Sequence, residues 1–446
     1  MDSALKAAPL LLLVSLILSD MYLALKDRCR VFQLPFLTSA TVAALILPTL
    51  AANVTTSLYM SDAEYLRFVC FMLVCLALAR LGYALVVHVP RSPGKCEPRF
   101  PGQLLGVSLV PPMCLALLAQ SQINPTEYGD IRGGSFAIFL FVARLLRPVQ
   151  VLAFCGYALT KSRNCLLVFA ICLSVTAPFI LVSGRRSDTL FLPLSVLAPL
   201  WALNGVVVSR KQVILGVFFV VAVFFLLPVM RESTKNFSFE ELYSISYSEE
   251  LSRAIEGDRT NEVIEVAKDM DAVARTGEYS YGVRFINKFT FQYVSSTIFG
   301  QAVKDAFTLP EPNMGEVRNR ASNSQLAYSE SKNYLVRFGF GQAFLAFGWL
   351  GALYFFVFGI ACGKFYNYCF IGNDPRRRML YCVLLLFIPF SVYDSISGAI
   401  PMILPWWGLS YLCLYFVPKY LAKTRVARKG RKLARCPGSA VLPDGR

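Results

Sequence analysis

Residues 165–208 read CLLVFAICLSVTAPFILVSGRRSDTLFLPLSVLAPLWALNGVVV. Two uncharged apolar runs flank a short polar turn, and the turn carries Arg185, Arg186 and Asp188. A helix needs about 20 apolar residues to cross about 30 Å of hydrocarbon. Each run comes close to that length, so the pair reads as a membrane hairpin with a charged tip. The same pattern recurs on both sides of it. About eleven spans are expected, at roughly 6–25, 32–54, 66–87, 103–120, 134–159, 165–183, 189–208, 213–230, 337–361, 379–393 and 402–418. The fold class is therefore an all-α polytopic membrane protein, in keeping with an apolar fraction of 56% over 446 residues. The N-terminal run, MDSALKAAPLLLLVSLILSD, reads as a retained span. It has a single lysine ahead of the apolar stretch and no small-residue cleavage site after it.

Alternate connections share a character. Lys26, Arg28 and Arg30 lie in one; Arg91, Lys95 and Arg99 in the next; then Lys161 with Arg163, Arg210 with Lys211, Lys364 with Arg376 to Arg378, and a basic tail. The positive-inside rule puts this set, and the C-terminus, in the cytoplasm, with the N-terminus outside. The net charge of +16 then reads as anchoring to anionic headgroups rather than as nucleic-acid binding, because the tail lacks interleaved aromatics. None of the thirteen cysteines falls in an outer connection, so no disulfide framework is expected there. Four segments follow: an N-terminal bundle at 1–230, a large periplasmic loop at 231–336, C-terminal spans at 337–418 and a cytoplasmic tail at 419–446. The loop holds 16 of the chain's 28 carboxylates, which makes it a folded domain, mainly helical, rather than a linker. Within it, YGVRFINKFTFQYVSSTIF reads as a helix lying on the membrane surface.

Several residues invite a chemical reading. Arg185 and Arg186 face outside in this topology. They either meet lipid headgroups or form an anion site, since a guanidinium offers a planar fork that fits phosphate. Asp188 then holds one guanidinium or caps the next helix. A second basic cluster, Arg318, Arg320, Lys332 and Arg337, surrounds Glu330 where the loop re-enters the membrane. Ordinary snorkelling is the plain reading of any one of these. Arg144 and Arg147 sit deep in a span. They either face a cavity or partner, or mark a shorter helix continued by a re-entrant piece, with Pro148 kinking the segment. Much chemistry is excluded. The lone histidine, His88, lies on the cytoplasmic side, so no histidine base or histidine metal site is available outside. No phosphate-loop motif occurs, and no acidic pair within a span reads as an ion or proton relay. No cofactor or metal is expected.

The whole pattern resembles the O-antigen, Wzy-type oligosaccharide polymerases, which are related to the O-antigen ligases. The residues that carry the likeness are Gly184, Arg185, Arg186 and Ser187 in the hairpin turn, and Asn333, Phe338, Gly339 and Gly341 at the re-entry helix. Lys332 precedes Asn333 where the ligases commonly carry histidine. The resemblance implies a GT-C-like helical bundle. It also implies periplasmic transfer of an undecaprenyl-diphosphate-linked oligosaccharide onto a second repeat unit, building a surface polysaccharide beside a Wzz-type chain-length regulator. Glu330, Arg185 and Arg186 are then the catalytic candidates. Arg318, Arg320, Lys332, Arg337, Asp188, Arg144 and Arg147 are the candidates for holding diphosphate. The competing classes are a flippase for the same lipid-linked glycan and the ligase that attaches it to lipid A core. A transporter predicts two pseudo-symmetric halves, which this sequence lacks.

Overall fold

The computed structural model describes residues 3–55, 60–88, 95–96, 102–122, 135–183, 190–207, 209–212, 214–216, 262–294, 296–322, 338–393, 396–417 and 419. Among the described residues every regular element is a helix. The N-terminal group is α1 (Ser3–Lys26), α2 (Leu34–Leu45), α3 (Leu47–Thr55), α4 (Asp62–Val86), α5 (Gly102–Gln120), α6 (Ser135–Ala143), α7 (Leu146–Thr160), α8 (Arg163–Ser183) and α9 (Phe191–Asn204). The loop segment supplies α10 (Glu262–Thr276), α11 (Val283–Tyr293), α12 (Ser296–Phe299), α13 (Gln301–Phe307) and α14 (Met314–Ser322). The C-terminal group is α15 (Gly339–Phe347), α16 (Ala352–Phe370), α17 (Pro375–Leu385), α18 (Phe387–Tyr393) and α19 (Ile396–Tyr411).

Seven stretches are long and apolar enough to cross a membrane, and an eighth is the bent pair α2–α3, which turns by 50°. This is a helical membrane protein. Of the eleven spans read from hydropathy, most of 213–230 lies outside the described residues. The spans at 189–208 and 379–393 take the form of shorter helices, α9 and the pair α17–α18. The span read at 337–361 begins as the short buried helix α15, breaks at a 3-10 turn over Gly348–Gly351, and continues as α16 to Phe370.

Three of the breaks fall at proline. Proline lacks an N–H and its ring collides with the carbonyl four residues earlier. Pro148 does this to Arg144, where α6 gives way to α7, and Pro389 does it to Leu385, the last residue of α17. Pro48, in the first turn of α3, marks the bend after α2.

Helices α4 and α16 form the closest pair, at backbone contact. A Cβ on Gly82 would lie 2.2 Å from the Phe356 carbonyl oxygen, and one on Gly359 would lie 2.1 Å from that of Ala79. Only glycine fits at both places. Two large buried clusters result. One joins α5, α7, α8, α9 and α17, with Trp201 fully buried at its centre. The other joins α1, α4, α10, α15 and α16 around Phe71, Phe340 and Phe344.

The basic connections gather on one face. Cys96 donates its N–H to Leu203, Arg210 reaches the Leu25 carbonyl at 3.1 Å, and the His88 N–H reaches Asn367 at 3.2 Å. Buried Arg378 donates to the Ala202 carbonyl at 2.9 Å, and the Tyr381 hydroxyl donates to that of Phe32 at 2.6 Å. At the opposite end Lys6 pairs with Asp62 at 2.5 Å, and Arg67 pairs with Asp271 of the loop segment. Thus α10 is docked on the far ends of α4 and α15, opposite the basic face. Its apolar side (Val263, Ile264, Val266, Ala267 and Met270) is buried there.

Candidate functional site

The break between α6 and α7 is where charge enters the bundle. Arg144 lies in the break and Arg147 in the first turn of α7. Counting 1.5 Å per residue from Thr160 at the basic face, Arg147 stands about 20 Å up the helix. Thr176 of α8, counted from Arg163, stands at the same height, about two thirds of the way across a core of roughly 30 Å. Both arginines line one pocket with Gln120, Thr176, Phe179 and Ile180. The cavity is small, about 20 Å³, room for about one water molecule, and its lining mixes donors with apolar surface.

The donors are held from behind. The Arg144 guanidinium touches the Met402 sulfur of α19 at 3.8 Å, and that of Arg147 lies 5.6 Å from the Phe191 ring centre. The Gln120 amide nitrogen is buried beside them without a hydrogen-bond partner. One turn deeper, Gln150 is fully buried. Its amide donates to the Ser195 hydroxyl at 3.3 Å and its oxygen accepts from the Thr176 hydroxyl at 2.7 Å. Arg144, Arg147 and Gln150 recur every three residues, so they follow one side of the chain and form a polar track into the membrane. Two guanidiniums at this depth, beside the Gln120 amide, make a cationic site within the membrane.

The other predicted residues are distributed differently. Arg318 is directed at carboxylates of its own chain: Nη1 to Glu265 at 2.5 Å, Nε to Asp269, and Nη2 to the Glu265 carbonyl at 3.2 Å. Burial lifts the Asp269 carboxyl above the ordinary aspartate value, and the charge of Arg318 offsets only part of that rise. Arg320 bonds Glu278 at 2.7 Å on an exposed surface. Arg318 fastens α14 to α10, and Arg320 fastens it to Glu278 just beyond α10. They belong to the α10 unit, whereas Arg144 and Arg147 belong to the α5–α7–α8 bundle. Arg185, Arg186, Asp188, Glu330, Lys332 and Arg337 lie outside the described residues. Among the described residues no group of three or more His, Cys, Asp or Glu is gathered as a metal site.

Hydropathy reading missed a second intramembrane cluster. Asp20 of α1 and Arg80 of α4 form an ion pair. Ser39 donates to Asp20 at 2.7 Å and accepts from Arg80 at 3.0 Å, and Arg80 also reaches the Leu16 carbonyl at 2.7 Å. Each charged residue is six positions from the basic-face end of its helix, or about 9 Å deep. The sequence signal was a lone charge in each of two apolar runs. A comparison of the chain with family models, with curated proteins and with solved structures finds no match.

Proposed function

We propose that this chain is a membrane glycosyltransferase that polymerises undecaprenyl-diphosphate-linked oligosaccharide repeat units into a surface polysaccharide of the O-antigen kind. The observation that carries this reading is the pocket holding Arg144 and Arg147 beside Gln120 and Thr176. With the basic face in the cytoplasm, the pocket sits in the outer third of the inner membrane and α10 and α14 lie on the periplasmic side. A lipid-linked diphosphate has its headgroup at the outer boundary, about 10 Å above this level, and its tail in hydrocarbon, so the arginines would meet it from below.

In the proposed reaction a sugar hydroxyl of one repeat unit attacks the anomeric carbon of another. The bond from that carbon to the diphosphate oxygen breaks, and the electron pair leaves with undecaprenyl diphosphate. The hydroxyl proton passes to a carboxylate, for which Glu330 is the candidate. Charge grows on the departing diphosphate, and fixed guanidiniums favour the transition state most when they face that growing charge. Arg144 and Arg147 fill this role here, with Arg185, Arg186, Asp188, Lys332 and Arg337 as proposed neighbours at the same membrane boundary. Arg318 and Arg320 are assigned to holding the loop domain in shape. A Wzz-type chain-length regulator is the proposed partner.

The test uses the native host with the chromosomal gene replaced. Charge-assisted hydrogen bonds contribute about 1.5–3 kcal/mol each, so Arg147→Ala should slow transfer roughly tenfold to a hundredfold. Arg147→Lys should remain impaired, because charge returns without the fork. Surface glycan should collapse towards a single repeat unit at normal protein abundance. Long-chain glycan made normally by an Arg144→Ala, Arg147→Ala double variant would overturn the assignment of the site. Repeat units stranded on the cytoplasmic face would indicate a flippase, and long chains left on the lipid carrier would indicate a ligase.

A further inference from the structure

Helices α11, α12 and α13 are built inside out. Asn287, Thr290 and Lys304 are 2%, 6% and 8% exposed, whereas Ile286, Ile298, Phe299 and Phe307 are 52%, 65%, 54% and 60% exposed. The Asn287 amide and the Thr290 hydroxyl are satisfied by the chain at 307–311. The Asn287 amide donates to Glu311 at 2.7 Å and to the Leu309 carbonyl at 2.8 Å, and its oxygen accepts the Leu309 N–H at 2.8 Å. The Thr290 hydroxyl donates to the Phe307 carbonyl at 3.0 Å, and Lys304 stands 4.9 Å from the Phe291 ring centre. A unit facing water buries its apolar side chains and exposes its polar ones. This one does the reverse, which is the arrangement hydrocarbon selects.

Its position agrees. The Tyr293 hydroxyl donates to the Pro401 carbonyl, inside the span Ala399–Phe416, and the Tyr293 ring packs edge-on against Phe141 at 6.1 Å. Leu404 and Trp407, on the next turns of that span, are exposed apolar residues, so the surface of the unit continues the lipid-facing belt of the bundle. Gln301 and Asp305, bonded to each other at 2.7 Å, leave one polar edge. An apolar body with one polar edge is the form of an element lying in the headgroup–acyl boundary.

We propose that α11–α13 is a wedge inserted into the bilayer leaflet opposite the basic face, its occupant being the acyl chains of bulk phospholipid. This does not rest on the proposed glycosyl transfer. The experiment uses the full chain in proteoliposomes of phosphatidylethanolamine and phosphatidylglycerol. p-Benzoylphenylalanine is placed at Ile298 or Phe307, and as a control at exposed Asn313, just before α14. After irradiation, phospholipid adducts by mass at positions 298 and 307, with at least tenfold fewer at 313, are expected. Quenching by brominated acyl chains of a fluorophore attached at position 299 gives the same reading without photochemistry. Equal adducts at all three positions, crosslinks to a second copy of the chain, or an absence of both adducts and quenching would each overturn the proposal.

Discussion

The Asp20–Arg80 pair makes a sharp claim about what holds α1 to α4. The side chains are 7% and 16% exposed, and Nη2 of Arg80 faces Asp20, Ser39 and the Leu16 carbonyl, while its buried Nε has no acceptor among the described residues. Replacing Arg80 by Met leaves Asp20 buried with a single donor, Ser39. Removing one partner of a buried pair costs about 3–5 kcal/mol. The lower end is the better figure here, because a helix left in the membrane finds other partners for a stray polar group. Asp20→Leu should cost a similar amount. The double variant Asp20→Leu, Arg80→Met removes both charges and fills the space with hydrocarbon, so it should return to within about 1 kcal/mol of the parent. Unfolding of the purified protein in mixed micelles, titrated with sodium dodecyl sulfate, gives all four stabilities on one scale. If the double variant loses the sum of the two single losses, the residues do not act as a pair and the reasoning fails.

Two further outcomes are expected. Arg318→Ala strips the guanidinium from Glu265 and buried Asp269, which should loosen the loop domain by about 3 kcal/mol and expose it to limited proteolysis. Burial already lifts the Asp269 carboxyl above its ordinary value, so the fold binds this proton more readily than the unfolded chain does. Stability from this group is therefore present at low pH and falls as pH rises through the folded value. The variant should resist protease better near pH 5 than near pH 8, and a loss independent of pH would refute the role given to Asp269. Pro148→Ala supplies an N–H for the Arg144 carbonyl and joins α6 to α7, which should raise helix stability by about 3 kcal/mol or somewhat less. Arg144 then leaves the pocket, so glycan length should shorten while the protein's thermal midpoint holds or rises. Unchanged glycan would show that the break does not position the site.

The membrane class of the fold was legible because hydropathy is a local property. Runs such as Asp62–Val86 and Gly102–Gln120 declare themselves without reference to any neighbour. The breaks were only half legible. Pro148 signalled a kink, but where α15 ends depends on the Leu345 and Ala346 carbonyls accepting the N–H groups of Ser280 and Tyr281 from the turn after α10. The polar site was read in part from Arg144 and Arg147. Gln120 and Thr176 escaped notice because each is ordinary in its own helix and acquires meaning only across the bundle. Asp20 and Arg80 escaped for the same reason, lying far apart in sequence and touching only after the helices assemble. The stretch from Tyr281 is amphipathic in the sequence, but its inverted burial needed Glu311 and Phe307 folded against it.

The contact between α4 and α16 also sets a timetable. His88, just past the end of α4, and Asn367 of α16 are bonded across 279 residues of chain. At a synthesis rate of about 5–20 residues per second, α4 waits roughly 15–55 s in the membrane before its glycine-notched partner emerges. For that interval the notch at Gly82 has no backbone to receive. It is then a vacancy that an insertase, a chaperone or a mispaired helix can fill, so the quality of biogenesis turns on what occupies α4 while the ribosome is still working.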